Sequence, residues 1–169
     1  DPMRRDLFER FLPEELRRVV LGQSIDARKL LAMSGSAERG KVLFGAICTA
    51  CHRVNGQGTD FGPDLSHIAS KWKRPELLEQ ILFPSKVIDP QWQLTTVTTT
   101  SGESKAGFVV ARDGSGLKLK MAGGEMAQIA NAEISKTSTE RVSMMPEGLL
   151  QNLTASEAAD LLQFLGSLK

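Results

Sequence analysis

Cys48-Thr49-Ala50-Cys51-His52 sets two thiols and an imidazole within five residues. This is the spacing that attaches a c-type haem: both sulfurs add to vinyl groups along one porphyrin edge, and the histidine after the second cysteine ligates iron as the chain turns. Two other chemistries use parts of the pattern. A dithiol redox pair belongs between a strand and a helix, whereas the residues before Cys48 read as helix. A structural zinc site needs about four Cys or His ligands, and the chain offers only Cys48, Cys51, His52 and His67. The cofactor these residues predict is one covalently bound haem c, with Cys48, Cys51 and His52 as its holders.

A histidine on iron needs its other ring nitrogen fixed. Phe61-Gly62-Pro63-Asp64-Leu65 follows the motif, and the Pro63 carbonyl can accept the Nδ1 proton of His52, which sets the tautomer and raises the donor strength of the imidazole. The sixth ligand comes from Met3, Met33, Met121, Met126, Met144, Met145 or His67, or the position stays open. Met144-Met145-Pro146-Glu147-Gly148 precedes the last helix as a loop able to wrap the open haem face, which favours Met145, beside the stiff Pro146, over Met144. His67, near a helix start, ranks lower. Leu65, Ile68, Trp72, Ile81 and Leu82 are expected to wall the porphyrin and exclude water, and the Trp72 indole N–H is placed to reach a propionate.

These groups need elements to hold them. Ser36 caps a helix that runs through Gly40, Val42, Leu43, Phe44 and Ile47 into the motif. Gly40 and Phe44, four apart, offer a small residue beside an aromatic where another helix can cross. The partner is at the other end of the chain, where Thr154-Ala155-Ser156-Glu157 is a capping box and Ala158, Leu161, Leu162, Leu165 and Leu168 form the apolar stripe. Arg74-Pro75-Glu76 opens a further helix that Pro84 ends. Residues 3–33 alternate polar and apolar groups at helical spacing, with Pro13 suited to a first helical turn and Gly22 and Asp26 as punctuation, and read as three short helices, the last near Asp26 to Met33. From Gln91 to Thr139 the character changes. Leu94–Thr100, Gly107–Ala111, Leu117–Met121 and Met126–Ala130 are β-prone runs parted by glycine turns, so a four- or five-stranded antiparallel unit is expected, for which an SH3-like small barrel is a candidate form.

The bulk properties set limits. The 169 residues are 41% hydrophobic, enough for one domain or two small ones. The 21 basic and 20 acidic residues leave a net charge of +1, which gives no electrostatic case for nucleic acid or an anionic membrane surface. No apolar run approaches the roughly 20 residues of a membrane span. Haem attachment of this kind takes place outside the cytoplasm, so a periplasmic or otherwise extracytoplasmic location is expected. A chain starting Asp1-Pro2-Met3-Arg4-Arg5 is then expected to be an excised or processed piece of an exported protein.

Read in order as helix, CxxCH, Gly62-Pro63-Asp64-Leu65, Met-Pro and helix, the chain resembles a class I cytochrome c. It is more similar still to the haem-binding domain at the C-terminus of large exported proteins of planctomycetes, verrucomicrobia and their relatives, described as membrane-bound dehydrogenase-like. The residues carrying this are Arg39 to Phe44, Cys48 to His52, Gly62 to Leu65, Pro84 to Pro90 and Met144 to Leu150. The resemblance implies thioethers at Cys48 and Cys51, His52 as proximal ligand and Met145 as distal ligand. It implies a mainly α class I cytochrome c fold over 36–169, interrupted by the β-rich insert 91–139 and preceded by a helical extension over 1–35. The His52 to Met145 spacing exceeds what a compact class I domain needs, and the insert accounts for the excess. The expected function is electron transfer, as a carrier domain and not an enzyme, fed by an attached or docked dehydrogenase and emptied by an unknown acceptor. A haem sensor or small peroxidase with an open sixth position is the alternative, and a purely structural module is a third.

Overall fold

The computed structural model describes residues 11–13 and 17–169. Its α-helices are α1 (Ala27–Ala32), α2 (Ala37–Ile47), α3 (Ile68–Lys71), α4 (Arg74–Leu82) and α5 (Ala155–Leu165). A short hairpin of β1 (Arg53–Val54) and β2 (Gln57–Gly58) follows the cysteine motif. Strands β3 (Leu94–Thr99), β4 (Ser104–Arg112), β5 (Gly116–Lys120), β6 (Met126–Ala130) and β7 (Ile134–Thr139) form one antiparallel sheet in the order β6-β5-β4-β3-β7.

Helix α2 starts where Ser36 Oγ accepts the Arg39 amide, and α5 where Thr154 and Glu157 cap each other's backbone N–H groups. The two helices cross with their backbones almost touching. A Cβ at Gly40 would lie 2.0 Å from the Asp160 carbonyl oxygen, and one at Gly35 2.3 Å from that of Ala159. One turn further on, the Phe44 and Phe164 rings sit 5.3 Å apart. Asp160 is only 2% exposed, yet Arg39 grips it at 2.7 and 2.8 Å and the Ser36 amide donates to it at 2.6 Å. Arg39 therefore holds the Asp160 carboxyl below the ordinary carboxylate range. Leu30 of α1, Leu77, Leu78 and Ile81 of α4, and Leu150, Leu161 and Leu162 complete this core. Each buried leucine contributes about 2 kcal/mol.

The sheet buries a face of its own. Alternation along β5 and β6 sends Leu117, Leu119, Ala127 and Ile129 inward, where they meet Val97 of β3 in a second core. The edge strands β6 and β7 do not pair with each other, so the sheet stays open, and β4 changes register between Val109 and Ala111.

This sheet overturns the mainly α expectation. Among the described residues the strands hold nearly as many residues as the α-helices, and the architecture is mixed. The reason is physical: the stretch 94–139 folds around its own apolar face and not as a decoration of the helical core. A second correction concerns the N-terminal stretch. The last expected helix is present as α1, capped by Asp26, and the first expected helix lies mostly outside the described residues. Residues 17–25, however, form no helix. Their donors turn to the loop before α5 instead, Leu21 N–H to Leu153 O at 2.8 Å and Gly22 N–H to Gln151 O at 3.0 Å, while Arg18 pairs with Glu157. Tertiary pairing outweighs a periodicity weakened by Val19, Val20 and Gly22. Among the described residues, no helix is long and apolar enough to cross a membrane.

Candidate haem site

The motif begins as α2 ends. Cys48 caps the helix, its N–H bonded to Phe44 O at 2.8 Å, and the chain then takes one more tight turn, with Cys51 N–H to Cys48 O at 3.1 Å and His52 N–H to Cys48 O at 2.8 Å. Residues three and four apart in such a turn face the same way, so both thiols and the imidazole are presented together. The two cysteines do not form a disulfide with each other. Burial, and then the neighbouring Cys51, push the Cys48 thiol up to about 12. A dithiol redox centre needs a lowered thiol pKa, so the Cys48 environment runs against that chemistry.

The chain then doubles back. Asn55 and Gly56, at φ 49° and 79°, form the tight turn of the hairpin. Gly58 sits at φ +103°, and a Cβ there would lie 2.2 Å from the His52 carbonyl oxygen, so only glycine fits. The following loop lies along the motif, with Thr59 N–H to Thr49 O at 3.0 Å and Gly62 N–H to Cys51 O at 2.7 Å. It delivers the Pro63 carbonyl to His52 Nδ1 at 2.8 Å. A Cβ at Gly62 would stand 3.0 Å from His52 Cε1, so the absence of a side chain there makes room for the ring. Below it, Arg53 pairs with Asp64 at 3.1 Å, Leu65 N–H reaches Arg53 O at 2.9 Å, and the Asn55 amide donates to Ser66 Oγ at 2.7 Å. Burial lowers the His52 pKa, partly opposed by the Pro63 bond. The imidazole is thus neutral near pH 7, its Nδ1–H given to Pro63 and its Nε2 lone pair left available.

Opposite these groups in the sequence, Met145 is half-buried and packs against the helical core, as do Cys48, Leu65, Ile68, Trp72 and Leu82, while Ile81 is buried within it. Leu65, Ile68, Trp72, Ile81 and Leu82 thus all belong to, or pack against, the same helical core that Met145 touches. Cys51 and His52 are tied by backbone bonds to Cys48, which packs against that core. The Met145 amide donates to Ser143 Oγ and the Ser143 amide to Ser85 Oγ, both at 3.1 Å. Met144 is 39% exposed. Trp72 is half-buried with the Lys71 ammonium 4.8 Å from its ring centroid. His67 is exposed at the start of α3. Met33 packs against the helical core, Met121 packs against the sheet core, Met126 is exposed on β6, and Met3 lies outside the described residues.

The donor set fits a haem held through two thioethers. Two free thiols share a turn with an imidazole whose second nitrogen is occupied, and Gly62 leaves space for the ring. Sequence reasoning overlooked Gly58 and the hairpin, although Asn55-Gly56 is a strong hairpin signal. It also overlooked Ser85 and Ser143, whose long-range bond no local pattern announces.

Residues 37–107 match the sequence model of the cytochrome c family. A curated protein of Synechocystis sp. (strain ATCC 27184 / PCC 6803 / Kazusa), described as cytochrome c-553-like, is 28% identical over 65 residues, 38% of this chain and 61% of that protein. The chain thus spans less than two thirds of that relative. The family match runs from the first residue of α2 into β4 and stops before the Met145 loop. Over that stretch this chain is similar to cytochromes c, and its cofactor is a covalently bound c-type haem.

Proposed function

We propose that this chain is an electron-transfer domain with His52 and Met145 as the axial ligands of its haem. The observation that carries the reading is the 2.8 Å bond from His52 Nδ1–H to the Pro63 carbonyl, on a turn that also presents Cys48 and Cys51. When bound, the haem supplies an iron that accepts and returns one electron. Cys48 and Cys51 Sγ would form the two thioether bonds, and His52 Nε2 would face the metal. Pro63 keeps the proton on Nδ1 and strengthens the donor nitrogen, which favours ferric iron. The thioether of Met145 pulls the other way, because a sulfur ligand raises the potential relative to a second imidazole. Leu65, Ile68, Trp72, Ile81 and Leu82 would keep water from the porphyrin, which also favours the less charged ferrous state. In this reading 36–169 is the haem domain, 91–139 its insert and 1–35 an extension. The domain works outside the cytoplasm, where an attached or docked dehydrogenase supplies electrons, as in the dehydrogenase-like proteins it resembles.

The test is to mature the protein in a bacterium able to assemble c-type haem. Reversible electron exchange at an electrode, a long-wavelength sulfur-to-iron band in the ferric spectrum, and resistance of the ferrous form to carbon monoxide are the expected results. A five-coordinate ferrous form that binds carbon monoxide readily would assign the chain to sensing or peroxidation. Haem without reversible exchange would reduce it to a structural module.

A further inference from the structure

The loop that serves His52 is also held from its far side. Asp60 and Phe61 immediately precede Gly62 and Pro63, and both reach across to the sheet. The Phe61 ring lies 4.9 Å from that of Phe108 on β4, and Asp60 pairs with Lys120 of β5 at 3.0 Å. Phe108 and Lys120 are directly opposite each other in the β4–β5 register, so they form a single two-point grip. By the alternation of the strands they lie on the face away from Val109 and Leu119, which pack in the sheet core. Trp92 closes the edge of Phe108 at 5.4 Å. Phe61 and Phe108 are 7% and 4% exposed, yet neither belongs to the helical core or the sheet core. Each is buried by the junction itself.

We infer that the five-stranded sheet is a brace for the haem, in which Phe108 and Lys120 hold Asp60-Phe61 and thereby fix the Pro63 carbonyl against His52 Nδ1. Phe108 is then a positioning residue that acts on the reduction potential through Pro63. The loop needs such a brace. Residues 59–66 have no helix or strand of their own, and Pro63, lacking an N–H, cannot anchor itself. The motif fixes the inner side of the loop through Cys51 O, and the sheet fixes the outer side.

This rests on His52 being an iron ligand, so the experiment first asks whether the matured parent shows a low-spin ferric spectrum that is lost in His52→Ala. If it does not, the ligand assignment fails, and the brace with it, before any junction variant is made. Phe108→Ala is then compared with Phe108→Tyr, which keeps the ring, and with Val97→Ala, which weakens the sheet core without touching the junction. The readouts are the midpoint potential and the exchange rate of the His52 Nδ1 proton by NMR. Phe108→Ala is expected to speed that exchange about tenfold and to raise the potential, since a looser acceptor makes the imidazole a poorer donor. Phe108→Tyr is expected to match the parent and Val97→Ala to leave both readouts unmoved. Unchanged readouts in folded Phe108→Ala, or an equal shift in Val97→Ala, would overturn the brace. Should Phe108→Ala not fold, Trp92→Leu and Lys120→Met carry the test, with smaller shifts in the same direction expected and none counting against it.

Discussion

The His52 side and the Met145 side of the site are built by different means. The first is pinned largely by backbone, through the turn from Cys48 to His52, the loop bonds to Thr49 and Cys51 and the Pro63 carbonyl, with the Arg53 to Asp64 side-chain pair as an added tie. The second hangs on two serine hydroxyls, Ser143 holding the Met145 amide and Ser85 holding that of Ser143, next to an exposed Met144. Backbone groups cannot rotate away from their partners as hydroxyls can. Under the proposed ligation, the His52 position is therefore preorganised and the Met145 position adjustable.

The largest effects should fall on the rigid side. His52→Ala is expected to abolish the low-spin ferric spectrum while the thioethers keep the haem attached, which mass analysis and optical spectra together would show. Gly62→Ala keeps every ligand but sets a methyl 3.0 Å from His52 Cε1. Displacing the ring or the loop should cost about 2–3 kcal/mol, read as a lower denaturant midpoint of the matured protein. If Gly62→Ala is neutral, the His52 side is softer than its hydrogen bonds suggest.

On the other side the changes should be smaller in stability but sharp in spectrum. Met145→Ala removes a half-buried side chain, which should cost about 1.5 kcal/mol, and eliminates the sulfur-to-iron band, whereas Met144→Ala retains it. Loss of the band in Met144→Ala alone would exchange the two assignments. Ser85→Ala removes one hydroxyl acceptor for the Ser143 amide, worth about 1 kcal/mol. Its expected mark is faster carbon monoxide binding by the ferrous protein in stopped flow, with stability little changed. A variant at Ser85 as damaging as Gly62→Ala would erase the contrast between the two sides.

What the sequence disclosed follows the same division. Cys48 to His52, Pro63, the caps at Ser36 and Thr154, and the Gly40 crossing are local patterns with a short-range physical cause, and each could be read directly. The strands were readable from their β-branched and glycine-punctuated runs. Their weight in the fold was not, because the resemblance to a helical family sets a mainly α expectation, whereas 94–139 folds around an apolar face of its own. Nor could residues 17–25 be placed, since their partners at Gln151 and Leu153 are distant in sequence. The junction of Phe61 with Phe108, and the serine relay to Met145, join segments far apart in the chain. No periodicity records such contacts.

The smallest predicted effect concerns acid. Ser66, through its hydroxyl and amide, and then Arg53 hold the Asp64 carboxyl down to about 2 from an ordinary value of 3.8. A carboxylate with a depressed pKa contributes its stabilisation in full above the unfolded value and loses it as pH falls through the folded one. The Asp64 contribution is thus intact at neutral pH, starts to fall below about pH 4 and is gone near pH 2. Asp64 is exposed, so solvent screening keeps the amount small. Asp160, held low by Arg39, titrates in the same direction in parent and variant and cancels from their difference. Unfolding midpoints of the parent and Asp64→Asn should accordingly differ at pH 6 and converge toward pH 2 to 3. A gap that stays constant across that range would mean that the loop under His52 is held without this carboxylate, leaving Leu65 N–H to Arg53 O and the Ser66 bond to Asn55 as its ties on that side.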